Sequence, residues 1–477
     1  MASSIAASSL AAMLAGGSRR PAGLADGLRT LVVDGRLAVR TRVPSERALA
    51  TELRISRGSV SRAYDRLREE GYLASRRGAG SWLTVPGGGE PGPLPPPPGA
   101  TEAERVLDLT VAALPAPTPL LAEAAARAAQ SLRRHVHAHG YSAFGLPELR
   151  DAVAARLTGR GLPTVADEVL VTSGAQHALH LVLSLLTAPG DRVLVDAPTY
   201  PRTLSAVRTA RARAVGVPLG ATGWDVESWS AAVRAASPRV GLTAPDFHNP
   251  TGMTMGPTER AALIEVCAHA GTVLVADETC AELRLDGPRS PAPLATFADG
   301  ATVIAIGTMS KAAWAGLRVG WLRAAPHLVR ELAARRADLD MASPVLEQLL
   351  AVELFEHWDE VLASRRELLR ERRDALLRAL ATHAPDWRVR RPAGGLSTWV
   401  RLGAPIATRL AAVAAGEGVR VTPGPSFSVD GTFEQHLRLP FTLAPEDLEE
   451  AVARLAAIAA RIDDGERGAE LSTAPAA

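Results

Sequence analysis

Lysine is almost missing from this chain. Of its 53 basic residues one is lysine, Lys311, and 52 are arginine, within 477 residues. A coding bias that places arginine wherever positive charge suffices accounts for most of the 52. The lysine then marks either a chance survivor of that bias or a position where arginine fails chemically: a desolvated amine can lose its proton and attack a carbonyl, whereas guanidinium stays protonated. Cysteine is also scarce. With only Cys267 and Cys280, no cross-linked secreted framework is available, and a reducing compartment, the cytoplasm, is expected. Long apolar runs are absent as well, none approaching the roughly 18 residues of a membrane-spanning helix. The small-residue stretch Ile5 to Leu14 is followed, not preceded, by Arg19 and Arg20, the reverse of an export signal, so it reads as a helix or a loose tail. What is present, 47% apolar and 22% charged residues, suits two or three cored domains and excludes a disordered chain.

Charge divides unevenly. Residues 1–85 hold 14 arginines against 7 acidic residues, leaving the remainder net acidic under a total of +2. Such a basic head suggests a nucleic-acid-facing module. It is followed by PGGGEPGPLPPPPGA, residues 86–100, which cannot pack a core; its glycines give flexibility and its four consecutive prolines favour extended polyproline II, so it reads as a linker. Beyond it, apolar runs at Val169–Val171, Val193–Val195, Val240–Leu242, Val273–Ala276 and Val303–Ile306 alternate with helical stretches such as Glu148–Leu157 and Arg260–Ala270. This predicts an α/β fold with a parallel sheet buried on both faces. From about Pro326 long helices predominate, including Glu360–Leu380, and a smaller second lobe is expected. The predicted division is a head at 1–85, a linker at 86–104, a large α/β domain at 105–325 and a small α/β lobe at 326–477.

The head reads as three helices and a hairpin. Leu24, Leu28 and Leu31 make one helical face. Ser45 caps a second helix that turns Ala48, Leu49 and Leu53 inward, and Ser56 caps a third, with Val60, Ala63, Tyr64 and Leu67 buried until Gly71 ends it. Arg57, Ser59, Arg62 and Arg66 remain outside. Tyr72–Ser75, a turn at 78–80 and Ser81–Leu83 make a wing, with Arg76 and Arg77 near its tip. A short helix, a tight turn and a basic helix suit insertion into the DNA major groove. The string RVPSERALATELRISRGSVSRAYDRLREEGYLASRRGAGSWL resembles the winged helix-turn-helix of GntR-type bacterial regulators. The resemblance implies that Arg47, Arg57, Ser59 and Arg62 contact operator DNA and that Gly80 lets the wing approach the backbone. The alternative for the arginines is a solvated surface with intrahelical pairs such as Arg62 with Asp65 or Arg66 with Glu70.

In the body, VTSGAQ (171–176), HNPTG (248–252), VADE (275–278), and GTMSK with GLRVG (307–320) occur in that order, each at the end of an apolar run. Together they resemble fold-type I aminotransferases, which bind pyridoxal 5′-phosphate (PLP), over roughly Asp108 to Ile462. The resemblance implies a Schiff-base role for Lys311, the residue that composition had already singled out. A protonated pyridine needs a carboxylate beside its nitrogen; Asp277 is placed to supply it, with Glu278 the local competitor. Asn249 would hydrogen-bond the phenolic oxygen from a turn shaped by Pro250 and Gly252. Ser173, Gly174 and Ala175 follow a strand and open a helix, where free N–H groups and the helix dipole favour a phosphate, and Thr308 and Arg318 would complete the cradle. Tyr200 matches the aromatic that stacks on the ring, against an ordinary packed tyrosine. Arg438 matches the arginine that holds a substrate α-carboxylate through a bidentate contact; Arg202 is a second candidate, against a surface role. No metal ligand is assigned. The chain departs from the family at one place: members usually carry a tyrosine shortly after the ring-nitrogen aspartate, where this sequence reads Asp277, Glu278, Thr279, Cys280. Thr279 is the available substitute, and the loss bears on transamination more than on PLP binding.

A GntR-like head, a long linker and an aminotransferase-like body, in this order, resemble MocR-type regulators. The resemblance implies a PLP-dependent transcriptional regulator that senses an amine or amino-acid effector and works as a homodimer on operator DNA, with no membrane partner. The alternative is an active aminotransferase with an accessory DNA-binding domain.

Overall fold

The computed structural model describes residues 5–14, 21–33, 37, 41–76, 80–84, 106–220, 223–287, 291–298 and 300–473, with side chains of the last helix to residue 462. The linker at 86–104 and the expected wing turn with Arg77 and Gly78 lie outside them. The chain divides into two compact units, one of Met1–Asp108, Leu402–Leu437 and Arg454–Ala477, the other of Leu109–Arg401 and Arg438–Ala453.

In the first unit, α1 (Ala7–Met13), α2 (Pro21–Val33), α3 (Glu46–Leu53) and α4 (Arg57–Glu69) precede the antiparallel pair β1 (Leu73–Arg76) and β2 (Gly80–Leu83). Both predicted caps form: Ser45 Oγ accepts the Ala48 N–H at 3.3 Å and Ser56 Oγ accepts the Ser59 N–H at 3.1 Å. Each satisfies a backbone donor that the helix start leaves open. Leu24, Leu28, Leu49, Val60, Ala63, Tyr64, Leu67 and Leu83 meet in one core, and each fully buried leucine contributes about 1.5–3 kcal/mol. The Tyr64 hydroxyl donates to the Pro44 carbonyl at 3.0 Å, which satisfies the polar end of that buried ring. Helix α4 ends as expected, Gly71 taking φ 78° just past the cap. Further along, β3 (Leu107–Asp108) pairs in parallel with Val419–Arg420 of the same unit.

The second unit is built on a seven-stranded sheet. Helices α5 (Thr118–Ser131) and α6 (Pro147–Gly159) come first, followed by β4 (Val169–Thr172), α7 (Ala175–Leu186), β5 (Arg192–Ala197), α8 (Pro201–Thr209), β6 (Arg213–Pro218) and α9 (Val226–Ala236). Then come β7 (Val240–Thr243), α10 (Pro257–Ala270), β8 (Val273–Asp277), β9 (Val303–Thr308) and β10 (Gly320–Arg323). The strand order is β4-β10-β9-β8-β7-β5-β6. All pairs from β9 to β6 are parallel, while β10 runs antiparallel to both β9 and β4. Five strands are the five predicted apolar runs, buried on both faces. The sheet is thus mixed where the sequence suggested a purely parallel one: β10, a four-residue return strand, was not anticipated, nor was the half-exposed edge strand β6. Helices α11 (Pro326–Arg336), α12 (Val345–Glu356) and α13 (Trp358–His383) follow. Because β4 through β9 all point one way, their carboxyl ends share one edge, the place where ligands meet open α/β sheets.

Candidate functional site

At that edge β4 runs into α7 through Ser173 and Gly174. Gly174 takes φ 101°, and a Cβ there would lie 2.8 Å from Nη2 of Arg318. Gly320 is equally constrained, since its Cβ would stand 2.7 Å from the Gly174 backbone. Two strand ends and the start of α7 therefore meet without side chains between them. Arg318, in left-handed conformation at φ 52°, donates from Nη2 to the Ser173 carbonyl at 2.8 Å, and the buried Thr308 donates to the Val319 carbonyl at 2.9 Å. These bonds gather Ser173, Gly174, Thr308 and Arg318 around the N-terminus of α7, where unsatisfied N–H groups and the helix dipole favour an anion. Gly320 was missed in the sequence, although the glycine after GLRV was visible. Asp340 was missed too; its Oδ2 accepts the Ser173 hydroxyl at 3.3 Å, a contact no local pattern announces.

Lys311 follows β9 by three residues, half-buried, its Nζ donating to the Ala112 carbonyl at 3.0 Å. Asp277 ends β8, and its Oδ1 accepts the Thr279 N–H at 3.0 Å. Burial pushes the thiol of Cys280 up to about 11, with Lys311 lowering it and Asp277 raising it. Lys311 and Asp277 thus each lie within electrostatic reach of Cys280. Glu278, the competitor for the ring-nitrogen role, turns elsewhere: its Oε1 accepts the Leu294 N–H at 2.9 Å and its Oε2 lies 3.3 Å from Arg160. Asn249, beyond β7, carries a buried Oδ1 with no hydrogen-bond partner. Tyr200 occupies the N-cap position of α8 and is 36% exposed, and Arg202, two residues on, is exposed. Arg438 is buried in strand His436–Pro440 and donates to the Thr110 carbonyl. A helix start kept clear by glycine, one amine, a carboxylate and an amide whose buried oxygen is unpartnered thus lie along one sheet edge. Among the described residues no group of three or more His, Cys, Asp or Glu is placed to hold a metal ion, and no helix is long and apolar enough to cross a membrane.

In the head, Arg47, Arg57 and Arg62 are exposed and Ser59 is half-buried. Arg62 donates only to the Gly58 carbonyl, at 3.3 Å; Asp65, its suggested partner, pairs with Arg68 instead. Arg57 is 74% exposed in its side chain and lies 3.5 Å from Glu46. Arg66 does form the expected pair with Glu70, at 2.7 Å, and adds Asp26 on α2 at 3.6 Å. Gly80 has φ 87°, and a Cβ there would lie 2.7 Å from Nε of Arg42, so the chain itself requires this glycine.

Residues 104–455 match the aminotransferase class I and II family. The chain belongs to that family. Its head matches the bacterial regulatory proteins of the GntR family over residues 22–82, and the two together are the architecture of a MocR-type regulator. The HTH-type transcriptional regulator TauR of Rhodobacter capsulatus is 29% identical over 466 residues, 90% of this chain and 95% of its own. The probable rhizopine catabolism regulatory protein MocR of Rhizobium meliloti is 28% identical over 391 residues, 76% of this chain and 77% of its own. Among solved structures, LysN of Thermus thermophilus, an α-aminoadipate aminotransferase complexed with N-(5′-phosphopyridoxyl)-L-leucine, is 33% identical. It covers 74% of this chain and 92% of its own, with a TM-score of 0.68. The alignment with TauR, an HTH-type regulator, runs along nearly the whole chain, which favours a regulator over an enzyme alone.

Proposed function

We propose that this regulator binds PLP at Lys311, senses an amine or amino acid there, and reads operator DNA as a cytoplasmic homodimer. In this reading residues 1–85 bind DNA, 86–104 connect, 105–325 hold the cofactor and 326–477 form the smaller lobe. The observation that carries it is that the chain's single lysine follows β9 while Asp277 ends the paired strand β8, on the sheet edge where Gly174 clears the start of α7. The residues fit the group: Gly174 and Gly320 keep the start of α7 clear of side chains, where open N–H groups favour a phosphate. Bound PLP supplies an aldehyde for an amine and a ring that withdraws electrons from the carbon beside it.

The chain's own groups have distinct tasks. Ser173, Gly174, Ala175, Thr308 and Arg318 hold the phosphate, and the ring of Tyr200 covers the pyridine face. Asp277 keeps a proton on the ring nitrogen, and Asn249 donates to the phenolic oxygen. Lys311 gives the attacking amine and takes up or releases a proton at Nζ. Arg438 orients the carboxylate of an arriving amino acid, with Arg202 as the outer candidate. Effector contacts that differ between two states would then bias the heads, where Arg47, Arg57, Ser59 and Arg62 meet DNA and Gly80 shapes the wing.

Lys311→Ala tests the reading. Borohydride reduction of the PLP-loaded protein should fix the cofactor to the Lys311 peptide in the wild type and to no peptide in the variant; an undiminished adduct in the variant rejects it. The likeness to LysN favours a second reading, a working aminotransferase, which sustained turnover of an amino donor with a keto acceptor would establish.

A further inference from the structure

A buried polar cluster with no task so far lies against the turn that carries Asn249. Asp196 on β5 is 1% exposed, and its carboxyl accepts three donors: Trp224 Nε1 at 3.0 Å, Thr243 Oγ1 at 2.9 Å and the Ala244 N–H at 3.2 Å. Nε2 of His248, also 1% exposed, lies 3.6 Å from Asp196 Oδ2 and has no hydrogen-bond partner. The other ring nitrogen sits 2.9 Å from Thr251 Oγ1, and Trp224 stands edge-on to the imidazole. The backbone closes the turn, His248 N–H donating to Met253 at 2.8 Å and Gly252 N–H to His248 at 2.6 Å. Asn249 is the next residue along from His248.

A carboxyl this deep is costly unless its partners are well placed. Here the donors come from the end of β7, from Ala244 just after it and from the loop before α9, and the imidazole of His248 is packed against the same carboxyl at 3.6 Å, so one side chain sets the spacing between two strand ends and the start of the Asn249 turn. We propose that Asp196 is a positioning residue, which through His248 holds Asn249 at the distance where its amide donates to the phenolic oxygen of the cofactor. The inference rests on the reading that the pocket takes PLP. A donor held on the ionised oxygen favours that form and lowers the pH at which it loses its proton.

The test uses the full chain loaded with PLP and follows its absorbance against pH. Asn249→Ala should raise the titration midpoint by about one pH unit, Asp196→Asn should raise it by at least half as much, and the double variant should move no further than Asn249→Ala. An Asp196→Asn midpoint equal to wild type, or shifts that add in the double variant, overturn the proposal. Trp224→Phe removes one donor only and should give a smaller rise; no rise counts against it, even if Asp196→Asn fails to fold. Hydrogen exchange of residues 245–253 without cofactor separates this from the PLP reading: Asp196→Asn should speed it about five-fold, and unchanged exchange overturns the positioning role. A wild type that takes no PLP rejects the cofactor reading, and the exchange result then decides for Asp196 alone.

Discussion

Arg62 and Arg66 stand one turn apart on α4 in opposite surroundings. Arg66 is held by Glu70 and Asp26, whereas Arg62 meets only the Gly58 carbonyl. Arg62→Ala is therefore expected to weaken operator binding about ten-fold and to lower the salt slope by about one, with little change in melting temperature. Arg66→Ala should cost up to about 1 kcal/mol of stability, visible in denaturant titration. The two head pairs considered from sequence had compatible helical spacing, yet only Arg66 with Glu70 formed, because Arg68 takes Asp65; spacing names possible partners and rotamers choose among them. Lys311 was the most legible residue of all, since composition and motif both singled it out. Asp196 and Asp340 were not, because their partners are remote in sequence. Cys280 gives a further expectation: with its thiol pushed up to about 11 by burial, alkylation should be slow at pH 7 to 8 and accelerate only near pH 10, as mass spectrometry of the iodoacetamide-treated protein would record.

Among elements, the five buried strands were readable because continuous Val, Ile and Leu runs mark strands covered on both faces. Strand β6 escaped, being half-exposed at the sheet edge, and β10 escaped because its four residues lie within a motif read for its chemistry. Yet β10 sets the geometry at the start of α7, since Gly320 brings its backbone against Gly174. Gly320→Ala would place a methyl 2.7 Å from backbone atoms that cannot swing aside. The expected cost is about 1–3 kcal/mol, measured as a lower melting temperature, together with weaker PLP uptake in titration. Serine caps and a glycine stop in the head were equally visible, being local chemistry that needs no tertiary partner.

For the whole molecule, the order of head and body could be read from a charge step and a proline-rich break. The grouping of Leu402–Leu437 with the N-terminal unit could not, because contacts over some three hundred residues leave no local mark. Stability should also respond to pH in a characteristic way. Burial pushes the Asp196 carboxyl up to about 7, so between about pH 4 and 7 the folded chain keeps a proton that the unfolded chain has lost, and stability falls as pH rises. Burial pushes the His248 imidazole down to about 3, so between about pH 3 and 6.5 the unfolded chain binds the extra proton, and stability rises with pH. The two slopes oppose one another from about pH 4 to 6.5. Asp196→Asn removes the first, so its melting temperature should climb across that window more steeply than that of the wild type. The half-buried amine of Lys311, being the only one on any side chain, has a practical consequence as well. An acylating ester can modify a single side chain, and the extent of that labelling becomes an occupancy gauge for the pocket, high when the nitrogen is open to reagent and low once a ligand shields it.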